Sequence, residues 1–335
     1  MLFRRICGID LGTDTIKIWD KNEKLYVCEK NMIAIRNDVN VIAVGQKAFE
    51  IYEKAPANVD AGSPMQHGSI ADVRNLEIVL ILLLKRYSGF FAKHPDIIIT
   101  VPAGSSELER MAYYQLLTGN LKCKRVALIE NGLADAAGIG MPLLHPMGNM
   151  VVNIGASTTD ISVVSEGKII VGKRLNIGGN LLDEEIVSIV RRRHDLNIGH
   201  KTAEILKNYL AYVIQGVPRQ MKAYGIHAVT GLPVSAIITS SDVNDAISSS
   251  LTEIAESVKA ILERTPPQLA SDIHKNGVYL TGGVSQIPNL SEYMRRHLEV
   301  MTYHVPDPVS SGVRGLVRIM NDPELRKLTF SVKDL

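Results

Sequence analysis

The chain has little of what would assign it quickly. Its three cysteines, Cys7, Cys28 and Cys123, are odd in number and show no Cys-x-x-Cys spacing. That argues against a disulfide framework and a structural zinc site, and favours a reducing cytoplasm. The nine histidines include no HExxH, and neither GxxxxGK[ST] nor GxGxxG occurs, so the zincin, P-loop and dinucleotide readings all fall away. Charge of one sign is also lacking. With 37 basic against 35 acidic residues the formal balance is +2, which provides no overall field for nucleic acid. The local run Arg191-Arg192-Arg193-His194 reads as a solvated helix end, where cations meet the helix dipole, and no nucleic-acid partner is expected.

Long apolar runs are missing too. The longest, residues 78–84, is bounded by Glu77 and Lys85-Arg86 and falls far short of the roughly 20 residues a spanning helix needs. The start, MLFRRICGIDLG, leaves no room for a hydrophobic signal core ahead of the first strand. A soluble or at most surface-bound protein is expected. At 335 residues it is long enough for two lobes, each with its own core.

What the chain does contain is a pattern that occurs twice. Ile9-Asp10-Leu11-Gly12-Thr13 and Val152-Asn153-Ile154-Gly155-Ala156-Ser157-Thr158-Thr159 each follow a β-rich run and turn through Gly and hydroxyl residues into another strand. Backbone N–H groups and hydroxyls that converge in such a turn suit a phosphate. Around the first copy, RRICGID, DTIKIWD and KLYVCEK read as three strands with a hairpin at Lys21-Asn22-Glu23. Around the second, MVVN, TDISVVS and KIIVGKRL repeat the layout with a hairpin at Glu166-Gly167. Equivalent positions lie 143 residues apart (153 − 10). A duplicated two-lobed protein is the natural reading.

Between the copies the pattern predicts a helix over 76–87, a buried strand DIIITVP, a helix over 107–118, strand KRVALIE and a small-residue helix over 133–139. Beyond the second copy it predicts a helix beginning near Asp183 with Asn180 as N-cap, a polar segment NIGHKTAEILKNYL, strands around AVTGLP, and a long helix over 241–264 stopped by Pro266-Pro267. Strand GVYLTGG, a helix over 290–298, strand TYHVP and a helix over 312–320 close the chain. Alternation of strands and helices in both halves is the signature of an α/β fold. A third glycine turn, Leu280-Thr281-Gly282-Gly283, follows a strand and would let backbone approach an anionic ligand.

The order of these motifs resembles the actin, sugar kinase and heat-shock chaperone ATPase superfamily. More narrowly, nearly the whole chain resembles the bacterial actin MreB/Mbl family. GIDLGTDT (8–15), SPMQHGSIAD (63–72), IITVPAGSSELER (98–110), LIENGLADAAGIGMP (128–142), GHKTAEILK (199–207), VTGLP (229–233) and ILERTPPQLASDI (261–273) carry the likeness. The resemblance implies an actin-like two-lobed α/β fold, duplicated mixed-sheet domains with a nucleotide cleft between them. It implies four subdomains: IA at 1–32, 73–142 and 310–335, IB at 33–72, IIA at 143–180 and 243–309, and IIB at 181–242. It also implies ATP or ADP with Mg²⁺, held through water by Asp10, with the phosphates at Gly12, Thr13 and Asp14 and an opposing clamp of Gly155, Ala156, Ser157 and Thr158. Gly178, Gly179, Gly282 and Gly283 would approach the nucleotide by backbone. Glu204 and Lys207 resemble the pair that meets ribose and adenine; the bland alternative is an exposed ion pair one helical turn apart.

Two positions depart from the family. Asn153 stands where an acid is usual, and Asn131, in Ile129-Glu130-Asn131-Gly132, stands where an acid orients the attacking water. An amide can accept a hydrogen bond but supplies no charge and cannot act as a base. Nucleotide binding with slow hydrolysis is expected. The paired Phe90-Phe91, two of only five phenylalanines, sit among Lys85, Arg86, Lys93 and His94. They either insert at an anionic membrane surface, as loops of this family do, or fold into the lobe; Met1–Arg5 is either a second contact or an edge-strand start. Implied partners are further copies of the chain in a filament, the inner membrane surface, and transmembrane rod-complex and wall-synthesis proteins. A sugar kinase would need a catalytic Asp facing a substrate hydroxyl, for which no candidate is found. A chaperone-type ATPase would need a peptide-binding domain beyond the nucleotide-binding body.

Overall fold

The computed structural model describes residues 6–21, 24–88, 95–214 and 216–331. Phe90, Phe91 and Met1–Arg5 lie outside the described residues. The first repeat forms β1 (Ile6–Leu11), β2 (Thr15–Asp20) and β3 (Leu25–Lys30), followed by β4 (Ile33–Arg36), β5 (Asn40–Val44), α1 (Gln46–Ile51), β6 (Val59–Gly62) and the two-residue strands β7 (Met65–Gln66) and β8 (Ser69–Ile70). Then come α2 (Val73–Ser88), β9 (Asp96–Val101), α3 (Glu107–Thr118), β10 (Arg125–Glu130) and α4 (Asn131–Ile139).

The second repeat forms β11 (Asn149–Ile154), β12 (Thr159–Ser165) and β13 (Lys168–Leu175). After it the chain runs through α5 (Gly179–His194), β14 (Leu196–Asn197), α6 (His200–Leu210), β15 (Gln220–His227), β16 (Pro233–Thr239) and α7 (Ser240–Arg264). It continues with α8 (Pro267–Asn276), β17 (Val278–Thr281), α9 (Leu290–Leu298), β18 (Thr302–His304), α10 (Ser311–Asn321) and α11 (Pro323–Arg326).

Two compact units result: Met1–Met147 with Val164–Gly172 and Val309–Leu335, and Gly148–Val163 with Lys173–Pro308. Their five-stranded sheets have orders β3-β2-β1-β9-β10 and β13-β12-β11-β17-β18, one topology used twice. In the first, β1 runs antiparallel to β2 and parallel to β9. Strand β9 is covered on both faces, so Ile97, Ile98, Ile99 and Val101 are all buried, and its apolar run is continuous instead of alternating. It shares a core with Leu76, Leu80 and Leu83 of α2 and Leu116 and Leu117 of α3.

Local chemistry sets the boundaries. Ser106 and Glu109 form a capping box at the start of α3, and Thr239 and Asp242 form another at α7. Helix α7 ends at Thr265 because the residue before a proline is pushed to extended backbone, and Pro267 restarts the chain as the first residue of α8. The Glu166-Gly167 hairpin has positive φ at both residues, as a two-residue turn requires. At the far edge of the first sheet, Leu128 and Phe330 exchange backbone hydrogen bonds of 2.8 and 3.0 Å, so the last described stretch covers that edge. Helices α4 and α10 cross so tightly that a Cβ on Gly138 would lie 1.9 Å from the Ser311 carbonyl oxygen, and one on Gly315 would lie 1.8 Å from that of Ala134.

The segment after α5 is helix α6, in keeping with the one-turn spacing of Glu204 and Lys207: Ala203, Leu206, Lys207 and Leu210 face inward at helical spacing. Strands β15 and β16 lie on either side of AVTGLP as expected, and Gly231, at φ +70°, turns the chain between them, its N–H donating to the His227 carbonyl. One expectation is corrected. Helix α5 begins at Gly179 rather than near Asp183, its N-cap is Gly178, and Asn180 lies in the first turn.

Candidate nucleotide site

The first turn is built from strand pairing. Gly12 N–H donates to the Thr15 carbonyl at 3.0 Å, and a Cβ on Gly12 would lie 2.8 Å from that oxygen, so glycine is required by close approach. The turn is held from outside by Asn31, whose side-chain amide donates to the Gly12 carbonyl (2.9 Å) and whose N–H donates to the Asp14 carbonyl (2.7 Å). Ser63 Oγ donates to the Thr13 carbonyl at 3.0 Å. Asp14 is paired with Lys30 at 2.7 Å, and that ammonium also sits 4.4 Å from the Phe49 ring centre.

Asp10 is deeper. Its Oδ1 accepts from Thr100 Oγ1 at 3.2 Å, and its Oδ2 accepts from Lys17 Nζ at 3.4 Å. Lys17 stands directly opposite Asp10 in the β1/β2 register and is only 6 % exposed. Burial works most strongly on Lys17 and opposes its charge, but Asp10 together with Cys28 and Tyr26 outweighs it, and the ammonium is held above the ordinary lysine value. The first turn of α10 presses on the same carboxylate, a Cβ on Gly312 falling 3.0 Å from its carbon.

The second turn repeats the first at the same offset: Gly155 N–H donates to the Thr158 carbonyl at 2.8 Å. Its surroundings differ. The N–H groups of Gly179 and Asn180 donate to the carbonyls of Gly155 (2.9 Å) and Ala156 (2.7 Å), stitching the start of α5 to the turn, and Asn180 Nδ2 donates to Ser157 Oγ at 3.1 Å. Gly178 allows this approach, since a Cβ there would meet the Ala156 oxygen at 2.7 Å. Thr158 Oγ1 donates to Asp160 at 3.3 Å, and Asp160 accepts from Arg174 Nε at 2.7 Å.

Lys207 reaches back from α6 to donate to the Gly179 carbonyl (2.9 Å) and to Asp183 (2.8 Å). Burial pushes the Asp183 carboxyl up to about 6, with Lys207 opposing. Lys207 is therefore no exposed partner of Glu204; Glu204 is half-buried on the same helix. Gly282, at φ +85°, lies against Asn153: a Cβ would fall 2.5 Å from Asn153 Oδ1 and 2.3 Å from the Ile154 oxygen. Beside Gly283 there is open space.

In the first unit the chain thus gathers Asp10, Gly12, Thr13 and Asp14 at one turn, with Asn131 opening α4. In the second it gathers Asn153, Gly155 to Thr158, Gly178, Gly179, Lys207 and Gly282 into one neighbourhood. Sequence reasoning missed Lys17, Thr100, Asp160, Arg174 and Asp183. Lys17 alone had a readable signal, because a hairpin that turns at Gly12 places residue 17 across from residue 10.

A family model described as MreB/Mbl protein matches residues 4–327. The chain belongs to the MreB/Mbl family. It is 32 % identical to the cell shape-determining protein MreB of Escherichia coli (strain K12) over 322 residues, 94 % of this chain and 92 % of that protein. Among solved structures it is similar to MreB5 of Spiroplasma citri bound to ADP, at 28 % identity and TM-score 0.91, covering 95 % and 97 % of the two chains. The same MreB5 bound to AMPPNP gives 27 % identity and TM-score 0.92, with 98 % of each chain covered. The MamK double helical filament shares the fold at 21 % identity and TM-score 0.80, over 95 % and 99 %. The actin-like α/β fold of the MreB/Mbl family is therefore the fold of this chain.

The Mg²⁺ implied by the resemblance finds few ligands among these residues. Among the described residues no group of three or more His, Cys, Asp or Glu is placed to hold a metal ion. Asp10 already accepts from an ammonium and a hydroxyl, and the equivalent place in the second turn carries an amide. Neither turn by itself offers a donor set that fits a protein-held Mg²⁺.

Proposed function

We propose that this MreB/Mbl chain is an ATP-binding bacterial actin homologue that assembles head to tail into filaments on the inner face of the cell membrane. There it organises wall synthesis, and so cell shape, together with transmembrane rod-complex partners. The observation that carries the reading is the duplicated turn, with the same glycine-to-carbonyl hydrogen bond at Gly12 and Gly155. That bond closes each turn, and the N–H groups that follow the glycine suit phosphate oxygens. Family membership and nucleotide-bound MreB5 support the same reading.

The residues take these roles. Gly12, Thr13 and Asp14 form one phosphate turn, and Gly155, Ala156, Ser157 and Thr158 form the other. Gly178, Gly179, Gly282 and Gly283 admit the nucleotide by backbone, and Glu204 stands for the ribose side. Lys207 acts through the Gly179 carbonyl to fix the start of α5. Magnesium would accompany the nucleotide and offset phosphate charge. Asn131 and Asn153 lack the charge and basicity of carboxylates, so turnover is slow.

The chain divides on this reading into the four subdomains IA, IB, IIA and IIB. Head-to-tail contacts are heterologous and do not close, which yields filaments. No helix among the described residues is long and apolar enough to cross a membrane, and attachment is assigned to the Phe90-Phe91 segment and its basic neighbours.

ATP-dependent pelleting with simultaneous phosphate release tests assembly and turnover together. Wild type should pellet with ATP and release phosphate slowly, and Asn153→Asp with Asn131→Glu should raise release. A chain that stays monomeric with ATP refutes the filament reading, and rapid release by wild type refutes slow turnover. Liposome co-sedimentation should weaken when Phe90 and Phe91 are both changed to Ser; unchanged binding removes the membrane assignment.

A further inference from the structure

We infer that Lys17 is the resident cation of the first phosphate turn, so that nucleotide binding by this chain depends only weakly on a divalent metal. The inference rests on the nucleotide-binding reading and concerns how its charge is balanced. A phosphate seated on the Gly12-Thr13 turn comes close to the Asp10 carboxylate, and two anions at short range need a cation with them. In this fold the expected cation is a metal ion. In this chain the protein has already placed one.

Lys17 faces Asp10 across the β1/β2 pair, in direct register, so both side chains leave the same face of the sheet. Its side chain is 7 % exposed, and its Nζ is 3.4 Å from Asp10 Oδ2. That separation is longer than the 2.7–2.9 Å of a tight charge-assisted hydrogen bond. Among the described residues the ammonium gives one of its three donors, to Asp10, which leaves donor capacity for a phosphate oxygen. The other carboxylate oxygen accepts from Thr100, and the first turn of α10, with its positive dipole end, lies against the carboxylate at Gly312.

Lys17, Thr100 and the start of α10 each turn a positive or donating group toward Asp10. A divalent ion drawn to this carboxylate, even through a water, would stand beside an ammonium of like charge. One lysine on β2 therefore places a buried cation directly opposite the acid expected to face the metal.

Equilibrium binding of a fluorescent N-methylanthraniloyl ATP to the full chain, in Mg²⁺ and in EDTA, tests this. Wild type should lose less than about threefold in affinity in EDTA, whereas Lys17→Leu should bind in Mg²⁺ but lose more than about tenfold in EDTA, and Lys17→Arg should behave like wild type. Manganese titration followed by its paramagnetic resonance signal, on wild type without nucleotide, gives a readout independent of how the variants fold: no tight site is expected. A tenfold loss by wild type in EDTA, equal metal insensitivity in Lys17→Leu, or a tight manganese site without nucleotide would each overturn the inference. Absence of nucleotide binding with and without metal would instead overturn the reading on which it rests.

Discussion

In the first turn the residue two places before the glycine is a carboxylate gripped by an ammonium and a hydroxyl; in the second it is an amide lodged against the backbone of Gly282. The turns themselves are alike, each closed by one glycine N–H donating three residues ahead. What differs is how each is fastened. The first is clamped by side chains from neighbouring strands, Asn31 and Ser63, and the second by the leading backbone N–H groups of a helix. A duplicated motif can keep its hydrogen-bond geometry while its two copies take on different electrostatic work.

The comparison is broken most severely at its charged member. Asp10→Ala leaves Lys17 buried without its counter-ion and should cost about 3–5 kcal/mol in urea unfolding, whereas Asn153→Ala removes an uncharged group and should cost about 1 kcal/mol. Equal losses at the two positions would show that Asp10 and Lys17 are not coupled. A smaller contrast lies in the glycines. Gly12→Ala puts a Cβ at 2.8 Å from a carbonyl oxygen and Gly155→Ala puts one at 3.2 Å. The first should cost about 1–3 kcal/mol and the second less than about 1 kcal/mol in the same assay.

The helix-fastened turn also has a pH signature. The folded state holds the Asp183 proton more tightly than the unfolded chain, with its pKa at about 6 against an ordinary 3.8. The stability tied to that proton is complete below about pH 4 and is lost as pH rises through about 6. Wild type should therefore lose on the order of 1–3 kcal/mol relative to Asp183→Asn across that window; a constant difference between the two from pH 4 to 7 would show that Lys207 fully offsets the burial of Asp183. The mildest contrast is between the two asparagines that brace the turns. Asn31 is fully buried and Asn180 is exposed, so Asn31→Ala should cost about 1–2 kcal/mol and Asn180→Ala about 0.5 kcal/mol by thermal melting.

Much of this was legible in the sequence because it is local. The three strands around each turn, the continuous run of β9, and the starts of α3 and α9 follow from apolar periodicity and capping residues. The start of α5 was misplaced because Asn180 and Asp183 carry the side chains of a cap, whereas the helix opens at Gly179 behind a glycine with no side-chain cap hydrogen bond. Helix α6 gives a weak apolar signal because only Ala203, Leu206, Lys207 and Leu210 turn inward. The electrostatics of the candidate site were the hardest to foresee. Lys207 finds Asp183 from the next helix and Thr100 finds Asp10 from a strand ninety residues away, and neither pairing leaves a mark in local spacing.

The crossing of α4 and α10 has a mechanical consequence. Because backbone meets backbone at Gly138 and Gly315, there is no cushion of side chains to take up a displacement. Helix α4 opens at Asn131, and α10 opens against the carboxylate of Asp10. Close packing of this kind transmits strain, so a substitution that displaces the start of α4 should be felt at Asp10 through the start of α10.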